Sequence, residues 1–225
     1  MKQLPRLALI AITSSLTLLT GCSTARTDLV NSTELPTYAG ESVVVMARSY
    51  HSGNKTESGF TDCVVKSVQK GDNRINVLSG DEFVDIMYPW FEPRTVPNKI
   101  QDMPKLLQNP VVAERLRDTG VRYVVWLDGN TERPGGGGTM SCTAGPGGAG
   151  CFGFAWWESD SDYDASVWDI EDVSEAGSVE TQVSGTSYMP AIVIPIPLLA
   201  RTRATACKDL AAQLRNYIGA TTNGG

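Results

Sequence analysis

Apolar positions along residues 41–219 recur with two different spacings, and the change from one to the other divides the chain into elements. Val43-Val44-Val45-Met46-Ala47 is an unbroken apolar run, which predicts a strand over Ser42 to Arg48 covered on both faces. Phe60, Cys63, Val64, Ser67 and Val68 repeat at the spacing of one helix face, as do Cys207, Leu210, Ala211, Leu214 and Ile218 near the carboxy terminus. Between these stripes, Arg74 to Leu78 reads as a short strand. Ser79 stands at a helix cap, with Asp81 and Glu82 in the first turn, and Pro89, Pro93 and Pro97 stop that helix. Asn109-Pro110 begins another helix and Gly120 ends it, after which Val121 to Asp128 is apolar at nearly every position.

Beyond residue 134 the period switches to two. Pro134 to Gly150 is so rich in glycine that it predicts a loop without regular structure. Strands are expected at Cys151 to Glu158, Tyr163 to Asp172 and Ser178 to Ser187, the last two joined by a turn at Glu175-Ala176-Gly177. Pro190, Pro195 and Pro197 predict that Ala191 to Leu199 is neither helix nor interior strand. This order gives an α/β (α+β) class: a mixed β-sheet packed with helices, in a single domain over 41–219, with a Gly-rich disulfide loop at 134–151 and a flexible tail at 220–225.

The amino terminus changes the picture by setting a compartment. Lys2 and Arg6 precede an apolar run from Leu7 to Leu19, which is the pattern of a signal peptide and too short for a comfortable helical span. Leu19-Thr20-Gly21-Cys22 follows directly and resembles the lipobox of bacterial lipoproteins. The resemblance implies removal of residues 1–21, several acyl chains on Cys22, and durable anchoring where one chain is marginal. It also implies sorting to the outer membrane, because Ser23 and not Asp stands second in the mature chain. Residues 22–40, polar and lacking a period, are expected to form a lipidated tether.

An exported domain permits disulfides, and four cysteines remain for them. Cys142 and Cys151 bracket a short Gly/Pro segment and are expected to pair. Cys63 and Cys207 lie on the two helical stripes, so their pairing would staple two helices on one side of the sheet. Zinc is the competing use of these cysteines, but there is no CxxC pair and the chain has one histidine. The formal net charge of −6 becomes more negative once Lys2 and Arg6 are removed. That balance argues against nucleic acid as a partner.

The element order, with Val121-Arg122-Tyr123-Val124-Val125-Trp126-Leu127-Asp128-Gly129 as central strand and Ser166-Val167-Trp168-Asp169-Ile170 as a later one, resembles a group of envelope proteins. The group comprises the amino-terminal domain of the Tol-system propeller protein, the curli-secretion lipoprotein and the lipoprotein activators of penicillin-binding proteins. The resemblance covers most of the mature chain in topology and pattern, and implies partner binding or assembly in the envelope without catalysis. The Gly-rich cysteine loop departs from the group, as does the lack of amphipathic strand pairs suited to a pore.

Candidate chemistry is sparse. Gly145 to Gly150 matches G-x-G-x-x-G but precedes a strand instead of a helix, so it reads as a loop. Asp160, Asp162, Asp164 and Glu171 have the spacing of a calcium loop, yet Ala165 occupies the glycine position. His51, on the loop after the first strand, could act as a base with Glu57 or Asp62, but no nucleophile elbow accompanies it. The expectation is therefore no catalytic residue, no metal and no cofactor. Two apolar, proline-broken segments are candidate contact surfaces: Tyr88-Pro89-Trp90-Phe91-Glu92-Pro93, with Tyr88, Trp90 and Phe91 as the partner-binding residues, and Ala191 to Leu199. The expected activity is that of an envelope lipoprotein that binds a protein partner or self-assembles. The alternatives are a periplasmic small-ligand binder with a pocket lined by Trp126, Trp156, Trp157 or Trp168, and a hydrolase built on His51.

Overall fold

The computed structural model describes residues 23–30, 35–37, 40–48, 56–70, 75–92, 94–97 and 99–219. Within them the chain forms seven strands and five helices. The strands are β1 (Ser23–Val30), β2 (Ser42–Ala47), β3 (Asn76–Ser79), β4 (Val121–Glu132), β5 (Gly136–Gly145), β6 (Gly148–Asp169) and β7 (Ser174–Pro195). The helices are α1 (Ser58–Val68), α2 (Gly80–Ile86), α3 (Met103–Leu107), α4 (Pro110–Asp118) and α5 (Thr202–Ile218). Contacts divide this chain into two compact units. Among the described residues, a helical unit holds those within 25–131, 161–183 and 203–219, and a strand unit holds 23–24, 132–160 and 184–202.

In the helical unit the strands lie in the order β1-β7-β6-β4-β2-β3, with β2 parallel to both β3 and β4. The expected class, a mixed α/β sheet packed with helices, is therefore what forms. Because side chains alternate along a strand, β2 sends Val43 and Val45 into one core and Val44 and Met46 into another. The first core is closed by Phe60 and Val64 of α1 and by Leu210 and Leu214 of α5. The second is closed by Phe83 of α2, Met103 of α3 and Val112 and Leu116 of α4. Each fully buried side chain of this kind contributes about 1.5–3 kcal/mol by leaving water.

The predicted helix ends hold: the Ser79 hydroxyl accepts from the Glu82 amide, and the Asn109 side chain accepts from that of Val111. Both expected disulfides are present. Cys63–Cys207 joins α1 to α5 with 6.2 Å between Cα atoms, and Cys142–Cys151 joins β5 to β6 with 4.0 Å.

Several elements differ from the expectation. The Gly-rich stretch is ordered: β5 and the first half of β6 pair antiparallel from Gly136↔Trp157 to Gly145↔Gly148. Glycine serves this ladder, because Gly138 and Gly153 have φ of +112° and +148° and a Cβ on either would strike a carbonyl of the opposite strand. The two strands read at 151–158 and 163–172 are one strand of 22 residues, and β7 is equally long. Its turn from β6 lies at 170–173, ahead of Glu175, where Val173 takes φ of +49° and the buried Asp169 carboxylate accepts from the amides of Glu171 and Asp172. β7 runs beyond the predicted end at Ser187 and continues through Pro190 to Pro195.

Residues 22–40 are not simply a tether. Ser23–Val30 is a strand, and Leu35 to Thr37 are fastened to the helical unit. The Leu35 amide donates to the Tyr217 carbonyl, Thr37 Oγ1 to that of Ile218 and the Tyr123 hydroxyl to that of Pro36. The expected signal segment 1–21, Cys22, His51 and the expected tail 220–225 lie outside the described residues.

Candidate contact surfaces and polar sites

Tyr88, Trp90 and Phe91 do not form one exposed patch. Phe91 is 2% exposed, with its ring edge-on to Phe83 at 4.9 Å, and belongs to the second core. Trp90 is half-buried under the Arg115 guanidinium, 5.2 Å from its ring centre, and only Tyr88 is exposed. Arg115 Nη1 donates to the carbonyls of Ile86 and Tyr88, and Thr95 Oγ1 donates to that of Pro89. This proline-broken turn, whose Tyr88–Pro89 peptide is cis, is thus stitched down as part of the packed unit.

In the other apolar segment most side chains from Ile192 to Leu199 are exposed, while Ala191 is buried. In the strand unit Phe152 is 76% exposed, Ile192 79% and Ile194 70%, and Val193, Ile196 and Leu199 are exposed as well. Phe152, Phe154 and Trp156 alternate along β6 and share one face; the Phe154 ring lies 6.0 Å from that of Tyr188 on β7. Tyr188 and Leu198 exchange two backbone hydrogen bonds, so the chain after Pro195 folds back on β7. None of the residues forming the two cores belongs to this unit. Charge is also absent from it over long stretches: no Asp, Glu, Lys, Arg or His occurs from Pro134 to Trp157 or from Thr181 to Ala200. The sequence already carried this signal, in the Phe152/Phe154/Trp156 alternation and in the missing charges.

Three polar arrangements lie in the helical unit. A cleft of about 450 Å³ is lined by the apolar Leu107, Leu116, Val121 and Ile170 together with Glu41, Arg117 and Arg122. Arg122 is 16% exposed and pairs with Asp169 at 2.7 Å, Asp172 at 3.5 Å and Glu171. Its burial opposes the charge, but the Asp169 carboxylate outweighs burial and raises the guanidinium pKa. Arg122 Nε has no hydrogen-bond partner among the described residues.

The second arrangement ties α1 to the sheet. The Tyr163 hydroxyl donates to Glu57 Oε2 at 2.5 Å, the Thr131 amide donates to Glu57 Oε1, and Thr131 Oγ1 lies 2.9 Å from both Tyr163 and Ser161. Burial, with Glu57 beside it, pushes the Tyr163 pKa upward. Glu57 is thereby occupied in holding structure.

The third is a recess of about 180 Å³ lined by Asp128, Asp162, Asp164 and Glu180 beside Gly129. Burial raises the Asp164 pKa, although Ser166 Oγ donates to the carboxylate. Asp160, Asp162 and Asp164, spaced as calcium ligands, lie along β6 and not in a loop, and no group of three metal-ligating side chains converges among the described residues. Trp126 and Trp168 are buried in the second core and pack on each other, 5.5 Å apart; Trp156 and Trp157 belong to the strand unit. No helix among the described residues is long and apolar enough to cross a membrane.

No protein-family profile matches the chain, and no curated protein does. Among solved structures, two of the PelC dodecamer from Paraburkholderia phytofirmans are similar, at 12% and 13% identity. Both cover 88% of this chain and 99% of theirs, with TM-scores of 0.38 and 0.36. A hypothetical protein of Chlamydia trachomatis is similar at 12% identity, covering 79% of this chain and 98% of its own, with a TM-score of 0.35. Likeness at this level carries no argument about function, so the reading rests on the chain's own residues.

Proposed function

We propose that this chain is a lipoprotein of the bacterial envelope, anchored through Cys22, on the outer membrane facing the periplasm, where it acts by binding or assembly and not by catalysis. The observation that carries the reading is the division of labour between the units. One packs two cores and bears most of the charge; the other is uncharged over long stretches and exposes Phe152, Ile192 and Ile194. An apolar surface of this kind is costly in water and marks a contact. The lipobox Leu19 to Cys22 supports the anchor, and Ser23 supports the outer membrane.

The test is in-cell crosslinking followed by mild detergent extraction, with sizing of the native particle. A reproducible particle holding a companion protein or further copies supports the reading. A lone monomer in the soluble fraction overturns it.

A second reading, a small-ligand binder, is favoured by the Arg122 cleft, whose volume falls within the range of ligand pockets. Filling it with Leu116→Phe would then abolish thermal stabilisation by ligand while leaving membrane association unchanged.

A further inference from the structure

We infer that the occupant of the apolar surface on the strand unit is the membrane leaflet itself: Phe152, Ile192, Ile194 and their neighbours sit among the headgroups and upper acyl chains beside the lipid on Cys22. The inference rests on the proposed lipid anchor and names what that unit contacts.

Where the undescribed chain joins the structure points to this occupant. Ser23 and Thr24 are part of the strand unit, and Cys22 is the residue bonded to Ser23. One trans peptide spans about 3.8 Å between Cα atoms, so acyl chains on Cys22 hold this unit, with no intervening linker, at the membrane surface. The chemistry of the unit fits that place. Among the described residues its charged side chains, Glu132, Arg133, Glu158, Asp160 and Arg201, lie at the ends of its segments, leaving 134–157 and 184–200 without charge. Protein interfaces carry a polar rim, whereas a bilayer boundary rewards the omission of charge over the whole contact.

Trp156, Trp157 and Tyr188 supply rings of the kind that settle at headgroup depth. Full insertion of these strands is disfavoured, because backbone groups at an open sheet edge would lose their hydrogen-bonding partners in hydrocarbon. The contact is therefore peripheral, like that of an interfacial helix but made by strands.

The test places one fluorophore on an added cysteine at Phe152→Cys, Ile194→Cys or, as control, Val111→Cys, an exposed position on α4 of the helical unit. The lipidated full mature protein is reconstituted into phosphatidylethanolamine/phosphatidylglycerol vesicles that contain lipids spin-labelled at graded depths. Quenching at 152 and 194 by shallow labels, with none at 111, is the expected result. Vesicle-bound protein with unquenched labels at 152 and 194 overturns the inference while leaving the anchor intact. Labels shielded by concentration-dependent growth of the particle without lipid overturn it in favour of a second copy.

The mature Cys22→Ser protein separates the two readings. It should still float weakly with vesicles at high lipid, and Ile194→Asp should lower that partition by about tenfold. No flotation by the Cys22→Ser protein counts against the surface; intact anchoring of that variant in cells counts against the lipid on Cys22.

Discussion

Asp164 is the carboxylate for which burial works most plainly against charge. Its raised folded pKa means that the native state takes up a proton more readily than the unfolded chain. The stability it contributes is therefore present below the ordinary aspartate range, about pH 3.9, and is lost as pH rises through the raised value. Asp164→Asn should accordingly gain on the native protein in Tm as pH climbs through that window, with the two converging at lower pH. A Tm difference that stays flat from acid to neutral would refute the assignment. The Tyr163–Glu57 bond makes a second residue-scale claim. Tyr163→Phe should cost about 1–3 kcal/mol in urea unfolding, since it leaves a partly buried carboxylate short of a donor. Phe91→Ala should cost about 3–5 kcal/mol, as expected of a core ring and not of a surface contact.

The elements differ in what holds them. Helices α1 and α5 are joined by Cys63–Cys207 across 144 residues of chain, so Cys63→Ser with Cys207→Ser should lower unfolding free energy by about 2–5 kcal/mol. The β5/β6 ladder has almost no buried side chain to set its register, and glycine-rich strands with two exposed faces are prone to slip. Cys142–Cys151 supplies the missing constraint by fixing one directly opposed pair. Cys142→Ser with Cys151→Ser should leave the Tm of the helical unit nearly unchanged while amides over 136–157 lose hydrogen-exchange protection. Equal loss of protection in both units would show that the disulfide does more than hold this ladder.

In the whole molecule, stability is expected to be uneven. The helical unit contains both cores, and the strand unit contains neither. Amides of β2 and β4 should exchange only through global unfolding, whereas those of β5 and the carboxy-terminal end of β7 should exchange by local opening. Added lipid should slow the second group and leave the first unchanged. Slow exchange of β5 in lipid-free monomer would mean that the strand unit is held together by something other than its apolar contact.

What the sequence determined by itself was local or periodic. The apolar run 43–47 could only be a two-sided strand, the stripes ending in Val68 and Ile218 only core-facing helices, and Ser79 and Asn109 made caps that need no distant partner. Even the Cys63–Cys207 pairing was legible, because each cysteine lies on an apolar stripe facing the core. Only the tertiary structure decided matters that depend on what a segment packs against. Nothing local separates the proline-broken run at 88–93 from that at 191–199. Phe91 is buried and Trp90 half-buried because Phe83 and Arg115 come to meet them, whereas Ile192, Val193 and Ile194 stay exposed. The glycine stretch likewise became a strand through pairing across from Phe152, Phe154 and Trp156. A ladder forms when two backbones meet, and glycine propensity alone carries no information about the second one.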